Sequence, residues 1–472
     1  MIKFWALAFG AAHFTNALIL EKKDVPSVLE VPFVTRRVAE VYNHHDRRGK
    51  REHILKIGTG GNVFFANVSF GSPSQILTTQ FSTYGDESSV MTRGNREYAR
   101  LVDVGIGQDL GSYNASDSTS SRVAKGNATI VNDFTNESTV GDIITDTVTV
   151  GDVKLNGMKF ITVRDKYEPH TLGLGYSEAN SNFISLPQAL VDAKTIQSPA
   201  FSMWKEEEKG QTEGPGVILF GGVNKAKYVD KLHTLPVISP PGIRKAFRVN
   251  FTGLSLGTDS MAKPISPDSF PTDAVFVSAT PLTILPEAIA RDLFSQLNTT
   301  ELYRSSQPMF PCDKSPKDKW LTFHFGQAAF NISIESFIEP NTPASYPDDP
   351  DGPDSNKDGY CYLGLVGGDF KDSHGGNVIL GANFLQKIYT VFDMGNDEVS
   401  IAQRRWEKAP DEILEIKSGK DSVPDRTTET ADKTDTTDKP EKTDKSSGSH
   451  LGPSDGLRAL MAAGAILFVA LI

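Results

Sequence analysis

Cysteine is nearly absent: two residues in 472, Cys312 and Cys361. Neither has a neighbouring histidine, so the pair does not make a metal site. In an oxidising compartment two such thiols join, closing a loop of about fifty residues that is worth roughly 4 kcal/mol on the chain-entropy model. A basic excess is missing as well. The net charge is −11 and the pI is near 5.4, which leaves nucleic-acid binding without electrostatic support. Helix signals are few; the clearest is Pro286–Glu287 opening onto residues 288–297, with proline at a first-turn position. Long apolar runs are confined to the two ends.

Those ends set the expected compartment. Lys3 supplies a positive charge and residues 4–14 are apolar, a run too short to span a bilayer. Residues 1–17 therefore read as a signal peptide with Ala17 at the cleavage position. At the other end, residues 457–472 are apolar except for Arg458, behind a polar spacer at 450–456 and small residues at 446–449. Small residues, spacer and tail together read as a glycosylphosphatidylinositol (GPI) signal: 448–472 is removed and Ser447 carries the lipid. A transmembrane tail is the competing reading, weakened by the lack of a basic stop after Ile472. Asn-x-Ser/Thr triplets begin at Asn67, Asn114, Asn127, Asn136, Asn250, Asn298 and Asn331, and in a secreted chain they predict glycans on exposed loops. The expected location is the extracellular face of the plasma membrane or cell wall, with the protein held by its lipid.

Between the ends the chain divides by composition. Residues 18–51 are charged and end in Arg47–Arg48–Gly49–Lys50–Arg51, which predicts a propeptide with dibasic processing; a solvated basic loop is the alternative. From 62 to about 403 short β-branched segments such as 63–70, 143–150 and 217–220 alternate with Gly, Pro, Asn and Asp, a pattern of strands and turns. That length exceeds one core, so two β-lobes are expected, at 52–235 and 236–404. Residues 405–447 turn to Lys, Asp, Thr and Glu with no aromatic after Trp406, which predicts a disordered stalk.

Several motifs in this middle region carry a family resemblance. Val63–Phe64–Phe65–Ala66–Asn67–Val68–Ser69–Phe70–Gly71–Ser72–Pro73 resembles the first hairpin of pepsin-like aspartic proteases. Gly141–Asp142 with Thr145–Asp146–Thr147–Val148 is similar to the strand after their active-site flap. Leu172–Gly173–Leu174–Gly175–Tyr176 and Gly221–Gly222–Val223–Asn224 follow in the family's order. Leu282–Thr283–Ile284–Leu285–Pro286 and Ile379–Leu380–Gly381–Ala382–Asn383–Phe384–Leu385 complete the match in the second half. The resemblance implies an all-β, bilobal pepsin-like fold, two β-barrel-like lobes with a cleft between them. Cys312 and Cys361 sit where that family's C-terminal-lobe disulfide falls. The stalk and anchor signal resemble the fungal yapsin-like, surface-attached branch.

In that family each lobe gives one Asp from an Asp-Thr/Ser-Gly loop. The two carboxylates share one proton, hold a water and activate it against the scissile carbonyl. Family spacing from Gly71 places the first Asp position on Ser82, in Phe81–Ser82–Thr83–Tyr84–Gly85–Asp86, with Tyr84 where glycine is expected. Spacing back from Pro286 places the second on Val277, in Val277–Ser278–Ala279–Thr280. The flap tyrosine position falls on Phe134. Asp86 and Asp273 are the nearest carboxylates, each offset by four residues. No catalytic dyad is intact.

Other candidates carry less. His44, His45 and His170 lack spaced partners, and the acidic run at Asp348, Asp349, Asp351, Asp354 and Asp358 fits no calcium-ligand spacing. No metal and no cofactor is expected. Three functions remain: a pseudoprotease that binds peptide or a wall partner in the interlobe cleft, an active aspartic endopeptidase, or a structural surface glycoprotein. A monomer is expected, with a peptide or protein ligand and a membrane lipid as partners and no nucleic acid.

Overall fold

Short segments rich in Val, Ile and Phe become strands because each pairs its backbone with a neighbour and turns one face inward. The computed structural model describes residues 26–45, 51–95, 99, 110–132, 137–164, 169–178, 181–206, 214–258, 261–301, 308–340, 360–368 and 378–428. The fold is all-β and bilobal. In the first lobe, Arg51–Phe70 pairs with Gln75–Ser82, and a second hairpin joins Arg122–Asn132 to Glu137–Val150. In the second lobe, Trp320–Phe325 buries Leu321, Phe323 and Phe325 at every other position and pairs with Ala328–Ser333. That period of two is what the sequence alternation encodes.

A fourteen-stranded sheet joins the lobes. Ile388–Asp393, from the far end of the second lobe, lies beside Ala200–Lys205 of the first, and Glu398–Gln403 pairs with its other edge. Phe392 stacks on Phe201 with centroids 5.0 Å apart and meets Phe247 at 4.7 Å, so the core continues through the junction. The expected helix runs Glu287–Leu297 and buries Ile289, Ala290, Leu293, Phe294 and Leu297 on one face. Pro286 sits just ahead of it, at the cap, rather than inside its first turn.

One expected boundary needs correction, and the expected propeptide contains a strand. Residues 29–35, assigned to a propeptide spanning 18–51, form a strand inside the large sheet, paired with Gly214–Phe220 on one edge. The charge of the wider segment hid Leu29, Val31 and Phe33, which alternate and are buried. The stalk expected at 405–447 does not begin at 405. Ile413–Glu415 pairs with Gly222–Asn224, and Arg426–Thr428 adds in parallel to Leu232–Pro236. Ile416 and Val423 anchor this segment in the core, while Arg426 bonds Glu398 at 2.6 Å. A few apolar anchors and a sheet edge suffice there, although the average composition is polar. Residues 1–25 and 429–472, with the signal peptide, Ser447 and the anchor signal, lie outside the described residues, as does the acidic run at 348–358.

Candidate active site

The two degenerate loops face each other. Gln75–Ser82 and Thr272–Phe276 are strands whose ends bring Thr83 and Ser278 side by side, both fully buried. Their bonds are reciprocal. The Thr83 N–H donates to Ser278 Oγ at 3.0 Å, and the Ser278 N–H donates to Thr83 Oγ1 at 3.0 Å. Thr83 Oγ1 donates to the Phe276 carbonyl at 2.7 Å, and Ser278 Oγ to the Phe81 carbonyl at 2.7 Å. Each hydroxyl thus both accepts from and donates to the opposite lobe, so both hydroxyls are satisfied across the junction. Gly175 permits the close packing behind the first loop. A Cβ there would stand 2.6 Å from the Thr83 carbonyl oxygen and 2.7 Å from the Tyr84 carbonyl carbon.

Ser82 and Val277 precede these two residues. Ser82 is half-buried, and its Oγ accepts a long 3.4 Å bond from the Tyr84 N–H. Val277 is buried in an apolar cluster with Ala246, Val275, Ile284 and Ile379, and Tyr84 packs against the same cluster. A hydroxyl, an isopropyl group and a phenol ring therefore occupy this centre. None of the three is a carboxylate, the group the family reaction sets against its water.

The nearest carboxylates are engaged elsewhere. Asp86 is fully buried; its carboxyl accepts from Ser181 Oγ at 2.6 Å and lies 3.4 Å from Arg244. Burial pushes its pKa up, against the opposing pull of the Ser181 bond. Arg244 binds Glu87 at 2.5 Å and reaches Glu178 at 3.5 Å, while its guanidinium stands 5.5 Å from the Tyr84 ring centre. Asp273 accepts from Arg248 at 2.5 Å, and that arginine is fully buried. Sequence reading missed both arginines. Their partners lie 158 and 25 residues away, and no local spacing announces them.

The remaining candidates are placed as follows. His170 is buried; its Nδ1 accepts from the Met91 N–H at 3.1 Å, which leaves Nε2 as donor to the Gly111 carbonyl at 3.1 Å. Burial lowers its pKa to about 4. That is a satisfied structural histidine. Cys312 and Cys361 form a disulfide with Cα atoms 5.1 Å apart. Asn67, Asn250, Asn298 and Asn331 are exposed and Asn114 is half-buried. Phe134 and Asn136 fall outside the described residues, and the side chains of Asn127, His44 and His45 are not described. Among the described residues no cluster of His, Cys, Asp or Glu is arranged to hold a metal ion.

Comparison with known proteins agrees with this frame. A family model described as eukaryotic aspartyl protease matches residues 63–404. A protein of Aspergillus oryzae named "Probable aspartic-type endopeptidase opsB" is 28% identical over 443 residues, covering 90% of this chain and 87% of the relative. "Aspartic proteinase yapsin-3" of Saccharomyces cerevisiae is 23% identical, covering 83% and 75%. "Vacuolar protease A" of Neurospora crassa is 27% identical, covering 72% and 78%.

Proposed function

Because this chain belongs to the eukaryotic aspartyl protease family, we propose that it keeps the family's interlobe frame and has given up its hydrolytic chemistry, binding a peptide or wall protein without cutting it. One observation carries this reading. The reciprocal Thr83–Ser278 bonds mark the middle of the two loops that correspond to the family's Asp-Thr/Ser-Gly loops, and the residue before each is Ser82 or Val277. The family reaction needs two carboxylates that share a proton, one to take a proton from water and one to polarise the carbonyl. Ser82 cannot act as a base without a partner, and Val277 cannot move a proton. Tyr84 packs against the Val277 cluster, on the strand end that would otherwise present the second aspartate.

The protein acts at the cell surface in this reading, held by a GPI lipid beyond the segment that ends at Arg426–Thr428. No helix among the described residues is long and apolar enough to cross a membrane. The relatives' names favour the second reading, an active endopeptidase. It would need Asp86 as base, and Asp86 is buried beside Arg244 with its backbone against Gly173. The test is an assay of secreted, processed protein at acid pH against a broad peptide library, scored for both cleavage and retention. Retention without cleavage is expected. Pepstatin-sensitive cleavage would establish the endopeptidase instead.

A further inference from the structure

The Asn-x-Ser/Thr triplets do not sit alike in the fold, and the ladder register sets three of them apart. Asn67, Asn127 and Asn331 stand in hairpin strands, directly across from Thr78, Asp142 and Thr322. Two residues on, the third member of each triplet faces a large apolar residue: Ser69 faces Ile76, Thr129 faces Val140 and Ser333 faces Trp320. All three apolar residues are exposed, Ile76 by 64%, Val140 by 59% and Trp320 by 40%. Strand alternation puts each on the same face as its asparagine, at the diagonal position of the ladder. The Thr322 hydroxyl donates to Asn331 Oδ1 at 2.7 Å, and the Thr78 hydroxyl to Asn67 Oδ1 at 3.3 Å. Those bonds engage the amide oxygen and not Nδ2, the atom to which an N-linked sugar is attached. Trp320 has Gly257 across one edge and Ser333 across the other, so small residues flank the indole.

A sugar ring offers an apolar C–H face, which gains by covering exposed apolar surface and suits a flat aromatic ring. We propose that the glycans on Asn67, Asn127 and Asn331 are structural, their first sugars lying on Ile76, Val140 and Trp320. Each arrives from a lipid-diphosphate oligosaccharide. The anomeric carbon bonds to Nδ2, its bond to the phosphate oxygen breaks, the lipid diphosphate departs and the amide gives up one proton. The third residue of the triplet is needed for that transfer and, being short, also keeps the seat open beside it. Asn250 lacks the arrangement: it faces Asp273, and Val275 on the diagonal is buried. The three sugars cover these residues whether or not the protein cleaves peptides.

The experiment takes the full chain from a glycosylating eukaryotic host in four forms, with and without Trp320→Ala and with and without Ser333→Ala. Ser333→Ala ends the triplet while keeping Asn331, its bond to Thr322 and the indole. Peptide mapping should find sugar at Asn331 in wild type and none in Ser333→Ala. Loss of that sugar should lower the thermal midpoint by about 1–3 °C when Trp320 is present and leave it unmoved in Trp320→Ala. Acrylamide should quench tryptophan fluorescence more strongly in Ser333→Ala, whereas Asn250→Gln should leave quenching as in wild type. If Ser333→Ala does not fold, enzymatic removal of the sugars from folded wild type and Trp320→Ala gives the same comparison. Trimming to the first sugar should then keep the wild-type midpoint, and complete removal should lose it. An unoccupied Asn331, or equal losses with and without Trp320, would overturn the proposal. So would a wild-type dimer on gel filtration that Trp320→Ala makes monomeric, since a second copy would then cover the indole.

Discussion

Rebuilding the dyad is the most demanding test of the proposed register. Val277→Asp alone puts a carboxyl into the cluster of Ala246, Val275, Ile284 and Ile379. Losing the buried isopropyl group costs about 1.5–3 kcal/mol, and burying an unpaired polar group adds about 1–3 kcal/mol. The single variant should thus lose roughly 3–5 kcal/mol, a large share of the ~5–15 kcal/mol that folded domains typically hold. Its thermal midpoint should fall clearly. Adding Ser82→Asp supplies a partner for a shared proton, but Tyr84 still packs on that cluster and crowds the turn. The pair should give little activity. Adding Tyr84→Gly and Ala279→Gly frees both turns, and the fourfold variant should exceed the double by about 10²-fold or more in peptide cleavage at pH 3–5, the scale of a working general base. A fourfold variant no better than the double would sink the register. So would wild-type cleavage that pepstatin blocks and Asp86→Asn abolishes, since the working carboxylate would then be Asp86.

Ser278→Ala removes the acceptor of the Thr83 N–H and the donor to the Phe81 carbonyl, so chemical denaturation should show a loss of about 1–3 kcal/mol for each group left unsatisfied; Thr83→Val should be non-additive with it, and simple additivity would refute the coupling. His170 has a folded pKa of about 4 against 6.5 unfolded. The unfolded chain therefore binds the proton first: the stabilisation is full above pH 6.5 and is lost as pH falls towards 4, by roughly 3 kcal/mol. Denaturation curves of His170→Gln should lose this slope, and an unchanged slope would reassign it to other groups. Cys312→Ser opens a loop closed across 49 residues and should cost about 4 kcal/mol with the strand content retained by circular dichroism. Phosphatidylinositol-specific phospholipase should release the protein from membranes; resistant retention with Ile472 still present would mean a transmembrane tail.

Much of the fold was legible from local pattern. Alternation in Trp320–Phe325 and the apolar run at 63–66 are short-range signals, and they survive in the structure as buried strand faces. The family motifs around Gly71 and Pro286 placed both loops, and spacing from them led to Ser82 and Val277. Two cysteines leave one pairing, so the disulfide needed no structure. What stayed hidden depends on residues far apart in the chain. The Thr83–Ser278 exchange spans 195 residues, and Arg244 meets Asp86 across 158. No window of sequence contains either pair. Composition hid the strands at 29–35, 413–415 and 426–428 for a related reason: a strand needs only alternate apolar residues and an open ladder to pair with. Phe33 is buried because Gly216 makes room for its ring, and Arg426–Thr428 is held because Leu232–Pro236 offers it an edge. Local periodicity sets which segments become strands. Which strands receive a partner is decided only when the distant segments that supply the ladder and the cavity come together.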